Sequence, residues 1–263
     1  MALLDGLLHC YTPSLGPTGY RLIDRGPRRI HGVGDGVVSS SWAGGSLQRW
    51  HLNFGGSSSF SLCGGLSTSS RRSISAWFRT TQSYTGGGVS YQVLVEGGVR
   101  TTNQLFMIGM GTGATVGQVS GSTYLFITQA GSSVVATGYN DGSWYHVLAQ
   151  HNGNDYIMII NGRVVATGTM TTTPSGTVSE IGAQIDQANK WTGGIGEVAY
   201  WSRDLTNAEA MDIFRRGDGG LGRMLTGQSY REARLSQAIA AGGATPWLYA
   251  RRRSQIIGSG GVH

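Results

Sequence analysis

Lysine is almost missing from this chain: Lys190 is the single lysine among 20 basic residues, and the other 19 are arginines. Charge is scarce altogether, at 13% of residues against roughly 25% in an ordinary soluble domain. Serine, threonine and 44 glycines must therefore supply most of the surface and the turns. Arginine without lysine favours planar, bidentate contacts over general solubility, which suits surfaces buried against other protein. No apolar run reaches the roughly 18 residues of a membrane-spanning helix, which argues against a membrane partner. The opening "MALLDGLLHCYTPSLGP" is broken by Asp5 and His9 and has no basic start, so it does not read as a secretory signal. Synthesis and folding in a cytoplasm are expected. Cysteine is limited to Cys10 and Cys63, whose apolar or small neighbours predict two buried thiols. No Cys-x-x-Cys or His-Glu-x-x-His occurs, and the histidines fall into no metal spacing, so a zinc reading has no footing.

What charge there is lies unevenly. Residues 227–263 hold five arginines and one glutamate, net +4, while residues 1–226 hold 15 basic and 13 acidic side chains, net +2. A nearly neutral body argues against a nucleic-acid-binding face over the whole domain.

Short β-rich runs bounded by Gly, Ser, Asn or Asp fill the body: "RWHLNF", "SISAWFRT", "QLFMIGM", "WYHVLAQHN" and "IGEVAYWS" are examples. Ten or more such runs predict a sandwich or barrel of antiparallel sheets. In "DYIMIINGRVVATG", Asn161-Gly162 marks a type I′ hairpin turn. One helix is expected in "SRDLTNAEAMDIFRRGDGG". Thr206 and Glu209 form its capping box, Arg215 and Arg216 sit in its last turn, and Gly217 stops it. Ala210, Met211 and Phe214 are its predicted inward face. A boundary near Thr226 separates this domain (1–226) from a C-terminal arm (227–263). The arm has a brief helix in "SYREARLSQAIAAGG" and an extended "ATPWLYARRRSQIIGSGGVH", where Pro246 pushes Thr245 out of helix.

The runs "LNFGGSSSFSL", "SISAWFRT", "DGSWYHVLAQHNGNDYIMIINGRVVATG" and "GGIGEVAYWSRDLTNAEAMDIFRRG" come in an order and at spacings that resemble the concanavalin A-like, laminin G-like jelly-roll domains. The turn carrying Asp24, Gly26, His31 and Gly32 resembles a further family motif. The resemblance spans about residues 5–225. It implies an all-β, two-sheet antiparallel jelly-roll sandwich with one short helix and an extended C-terminal arm. Fold alone does not fix function. Gly55 and Gly196 stand where calcium- or sugar-binding relatives carry Asp, so a calcium cofactor is doubtful, since that ion wants six to eight oxygen ligands. The Glu-x-Asp-x-x-Glu run of related glycoside hydrolases is absent, and Glu180 and Asp186 are too far apart in sequence to replace it; no catalytic residue is assigned.

Indole faces can stack on pyranose rings, and Trp191 in "QANKWTGG", with Trp42 second, is the expected carbohydrate contact. Trp77, Trp144 and Trp201 are expected in the core, His146 as a packed structural side chain and His31 as the cap of a turn. In the arm, Trp247 and Leu248 are expected to dock on a partner as apolar anchors, with Arg251, Arg252 and Arg253 pairing with its carboxylates or carbonyls. Stand-alone laminin G-like chains with basic tails are similar to bacteriophage structural proteins. The resemblance therefore implies a virion protein, a capsid decoration or a head or tail appendage, in homo-oligomeric contact with other virion subunits and not with nucleic acid. The alternative is a carbohydrate-binding adhesin for host glycans.

Overall fold

A computed structural model describes residues 2–35, 41–45, 48–57, 59–63, 71–84, 90–99, 104–112, 124–129, 132–153, 155–169, 178–184 and 188–227. The first strands are β1 (Leu7–Tyr11), β2 (Arg21–Leu22), β3 (Gly32–Asp35), β4 (Trp42–Gly45), β5 (Gln48–Gly55) and β6 (Ser59–Cys63). Then come β7 (Arg71–Arg79), β8 (Ser90–Val99), β9 (Gln104–Thr112), β10 (Tyr124–Gln129) and β11 (Ser132–Thr137). The last are β12 (Tyr145–Asn152), β13 (Asp155–Ile160), β14 (Arg163–Thr169), β15 (Val178–Ile181) and β16 (Thr192–Trp201). Two helices close the domain, α1 (Asn207–Arg216) and α2 (Gly220–Thr226).

Two eight-stranded antiparallel sheets result. The first runs β14-β13-β12-β7-β16-β5-β4, with β1 also on β16; the second runs β11-β10-β9-β8-β15-β6-β3-β2. Period-2 alternation sorts each strand between two faces. On β7, Ile74, Ala76 and Phe78 enter the core between the sheets, where they join Leu52, Phe54 and Ile195 of their own sheet and Leu94, Phe106, Ile108 and Leu125 of the other. Each such fully buried side chain contributes about 1.5–3 kcal/mol. Ser73, Ser75 and Trp77 take the opposite face.

That opposite face of the first sheet has a cover of its own. Leu7, Cys10, Leu148, Trp201, Ile213 and Leu221 form a second core beneath the helices and the N-terminal segment. The capping box of α1 forms as expected: Thr206 accepts from the Glu209 N–H at 3.2 Å, and the Glu209 carboxylate accepts from the Thr206 N–H at 2.9 Å. Its inward face differs from expectation. Ala210 and Ile213 are the buried pair, whereas Phe214, half-buried, stacks on Trp77 at 5.9 Å between centroids. The second helix, α2, has no counterpart in the sequence reading, because "GDGGLGRM" carries four of the poorest helix formers in eight residues. A buried carboxylate from the sheet supports it: Glu197 accepts from the N–H of Gly222 at 2.8 Å and of Leu221 at 3.3 Å.

Two local motifs are as the sequence predicts. Asn161 (φ 50°) and Gly162 (φ 77°) make the type I′ turn of the β13–β14 hairpin. Asp24, fully buried, gathers the turn after β2: it accepts from the N–H of Cys10, Gly26 and Ile30 at 2.8–3.0 Å and lies 2.8 Å from His9 Nδ1. His31 Nδ1 accepts from the Asp24 N–H at 3.1 Å and so caps this turn. Cys10 is a buried free thiol. The side chain of Cys63, Asp186 and everything from 228 onward lie outside the described residues, and with them the arm's Trp247, Leu248, Arg251, Arg252 and Arg253.

Candidate functional site

The helix-covered face of the first sheet is not sealed at its β5 end. There a cleft of about 410 Å³ opens between β5, β7, the loop before β12 and the α1–α2 junction. Strand β5 sends Arg49 and His51 into it while Leu52 and Phe54 go to the core; β7 sends Trp77 and Arg79. Trp144 enters from the loop, and Gly217 and Asp218 close the helical side.

Glycines on β16 make the space. A Cβ at Gly194 would stand 2.8 Å from Arg79 Cγ and 3.0 Å from the far edge of the Trp144 ring. A Cβ at Gly196 would fall 2.6 Å from Asp218 Oδ1. The register of β16 against β7 shifts between Ile195 and Val198, and Gly196 and Glu197 occupy the irregularity. The Glu197 N–H donates there to Asp218 Oδ1 at 2.6 Å. The carboxylate missing from position 196 in the sequence is thus present in space, delivered from the α1–α2 junction.

The cleft's polar groups form a connected set. His51 Nδ1 lies 3.2 Å from the Arg49 carbonyl, so Nδ1 carries the proton and Nε2 is left to accept. Arg79 Nη2 stands 3.0 Å from that Nε2, and its guanidinium lies 5.3 Å over the Trp144 ring. Burial pushes the His51 imidazole below its ordinary value, the Arg49 carbonyl opposes this, and the Arg79 cation adds to it. His51 is accordingly neutral at pH 7. It also meets Trp144 edge to face at 5.1 Å. Arg49 Nη1 and Arg223 Nη1 donate to the Asp218 carbonyl. Burial raises the Asp218 carboxyl to about 6, against the Glu197 N–H and the Arg49 and Arg223 charges. Burial raises Glu197 to about 8, opposed by the Gly222 and Leu221 N–H groups and assisted by Asp218.

The residues expected to contact sugar lie elsewhere. Trp191 is not an exposed loop residue: it is 0% exposed, inside the sandwich core and edge-on to Phe78 at 5.9 Å. Trp42 is also buried, its Nε1 donating to the Gly19 carbonyl at 3.2 Å. Neither presents an open face for stacking: Trp42 lies on the edge strand β4, and Trp191 immediately precedes β16, a central strand of the same sheet. Trp144, expected in the core, is instead half-buried in the loop and lines the cleft. Trp77 and Trp201 are buried, but on the helix side of the sheet. The signal for the cleft was available in "RWHLNF" and "SISAWFRT". Their outward-facing positions carry Arg49, His51, Trp77 and Arg79, a run of charged and aromatic side chains on strands whose other outward positions include Ser73 and Ser75.

Two further clusters bear on chemistry. Ser75 Oγ and His146 Nε2 lie 2.8 Å apart, a nucleophile–base spacing, but both are buried and Trp77 and Phe214 pack against the imidazole. Burial lowers His146 to about 3, too weak a base to activate a hydroxyl near neutrality. Gly55 and Gly196 stand where the resemblance implies Asp in calcium-binding relatives. Gly55 has nothing within 4 Å of where a side chain would start, and the Asp218 oxygen near Gly196 already accepts from Glu197. Among the described residues no group of three or more His, Cys, Asp or Glu is placed to hold a metal ion.

Residues 54–211 match the family described as the concanavalin A-like lectin/glucanases superfamily. No curated protein sequence matches the chain significantly. Domain 4 of an extracellular GH43 arabinanase from Geobacillus stearothermophilus, solved with arabinotriose, is similar with a TM-score of 0.56 and 19% identity. The similarity covers 78% of this chain and 97% of that one. A botulinum neurotoxin type C structure, described by the dependence of cell entry on two ganglioside molecules, has a TM-score of 0.57 at 14% identity over 81% of this chain and 52% of its own. The binding domain of Paraclostridial Mosquitocidal Protein 1 has a TM-score of 0.55 at 13% identity, with 81% and 52% covered. The chain spans about half the length of these two toxin chains, and at such identities the likeness is one of fold.

Proposed function

The chain belongs to the concanavalin A-like lectin/glucanases superfamily, and from that premise we propose that it is a non-catalytic carbohydrate-binding module whose ligand occupies the β5–β7 cleft. One observation carries the reading. Two indoles, two guanidinium groups and a neutral imidazole converge on a single open cleft of about 410 Å³, on a sheet face otherwise covered by helices. Apolar walls with a few fixed polar groups are the usual make-up of a small-ligand site. The arabinotriose-bound arabinanase domain supports the ligand class, as a protein of the same fold with a sugar in hand. Trp144 is the half-exposed wall, and Arg79 and Arg49 supply donors that suit sugar oxygens. Trp144→Ala tests the reading on a glycan array with the full chain. Loss of binding with an unchanged unfolding midpoint supports it; binding that survives places the ligand elsewhere.

A second reading, a virion decoration or appendage subunit anchored by residues 227–263, is favoured by one observation, the arginine triplet beside Trp247 and Leu248. A chain ending at residue 226 that still folds but no longer joins particles, empty ones included, is the expected outcome. Normal incorporation of that truncated chain removes the arm as anchor. Host glycans are the natural ligand of the cleft under either reading.

A further inference from the structure

We infer that the cleft selects carboxylated saccharides, uronic or sialic acids, with Arg79 as the group that takes the carboxylate. The inference rests on the glycan reading above and goes further by naming the ligand's charge and the residue that reads it.

Among the described residues no carboxylate pairs with Arg79; its contacts are the His51 Nε2 acceptor and the Trp144 ring. Imidazole and indole are neutral here, so both hold the guanidinium without cancelling its charge. The Asp24, Glu209 and Asp212 carboxylates each serve a different cation or a turn, and Asp204 pairs with Arg71 at the other end of this strand. Asp218, the acid that lines the cleft, is turned inward to the Glu197 N–H and its backbone carbonyl takes Arg49. A guanidinium offers five donors in a planar fork matched to a carboxylate, and the single His51 acceptor uses one of them.

The strand arrangement also fixes where that fork lies. Arg79 pairs in register with Gly194, and the missing side chain there lets the arginine stem cross β16 beside Trp144. His51, held by the Arg49 carbonyl, is a positioning residue: its protonated Nδ1 dictates that Nε2 faces Arg79. Arg49 places a second positive charge on the same cleft. The Asp218 carboxyl acts electrostatically on Arg49, so Arg79 is the cation of the cleft that a sugar carboxylate meets.

Isothermal titration of the full chain with oligogalacturonate, a hyaluronan oligosaccharide and sialyllactose, each beside its carboxyl-reduced counterpart, tests the inference. At least one acid form is expected to bind about tenfold or more tighter than its reduced partner. Arg79→Gln is expected to erase that preference, and Arg79→Lys to restore it only in part, because a point charge lacks the fork. Thermal unfolding of both variants checks that the fold is intact. Equal binding of acid and reduced forms, with Arg79→Gln silent, overturns the inference and leaves the glycan reading standing. An acid preference that persists in Arg79→Gln also overturns it. If no acidic or reduced saccharide binds and the array is blank as well, the glycan reading and this inference fall together.

Discussion

The carboxylate of Asp218 occupies the volume that a side chain at Gly196 would need, 2.6 Å from the missing Cβ. The two glycines that replace acidic residues of the family are therefore unlike one another. Gly196→Ala must drive a methyl into a buried carboxylate that also accepts from the Glu197 N–H, and is expected to cost about 2–4 kcal/mol. Gly55→Ala meets open space and is expected to stay within about 0.5 kcal/mol. Urea denaturation of the pair checks this; equal costs would mean that Asp218 yields freely.

Glu197 gives the fold an alkaline weakness. Its folded-state value of about 8 lies above its ordinary 4.5, so its contribution is complete below about pH 4.5 and lost as pH rises toward 8. Between pH 6.5 and 8 the wild-type protein is expected to lose up to about 1.4 kcal/mol per pH unit from this group. Glu197→Gln keeps a carbonyl for the Gly222 N–H and is expected to flatten that limb. Denaturation midpoints at pH 6.5, 7.2 and 8 provide the measurement, and parallel curves would refute the assignment.

His146 acts in the other direction. Its value is lowered to about 3, so the unfolded chain takes up the proton first and stability is lost as pH falls below about 6.5. Relative to His146→Gln, the wild-type protein is expected to lose up to about 1.4 kcal/mol per pH unit between pH 6.5 and 3. Glu197 and Asp218 change in the opposite sense over part of that range, so the difference between the two proteins is the quantity to plot.

Asp24 ties three backbone N–H groups and His9 in one buried turn. Burial disfavours its charge, yet His9 and the Cys10 and Gly26 N–H groups hold it below the ordinary value. Asp24→Ala orphans those donors and is expected to cost about 3–5 kcal/mol, seen as a fall in the unfolding midpoint. A loss under about 1 kcal/mol would show that water replaces the carboxylate.

The parts of the molecule legible in the sequence were those written by neighbours along the chain. Asn161-Gly162 specifies its hairpin by backbone conformation alone, and Thr206-x-x-Glu209 specifies a helix start by hydrogen bonds three residues apart. Strand alternation separates Trp77 from Phe78 on β7 but does not say which face is which: Trp77 was expected in the core, and Phe78 is the one between the sheets. Only part of the cleft was legible, in the charged and aromatic outward positions of β5 and β7, because its members come from four segments between Arg49 and Asp218 that only the sheet order brings together. Trp191 was misread for a related reason. Glycine and asparagine around it mark a loop, but nothing local says that the loop folds back to put the indole against Phe78. Helix α2 was hidden because Glu197, 25 positions before Gly222, supplies the support that its own sequence lacks.

The pairing of β1 with β16 has a bearing on how the chain reaches this state. Leu7 stands opposite Trp201, and β16 itself lies between β7 and β5 in the middle of the first sheet. No partial chain that stops short of β16 can assemble that sheet, since its central strand is the last of the described strands in chain order. Completing the sheet therefore has to close a loop of almost the whole domain, an entropic cost that grows only with the logarithm of length. Completion of the first sheet thus waits for residue 201, and for so non-local a topology folding is expected on the millisecond-to-second scale.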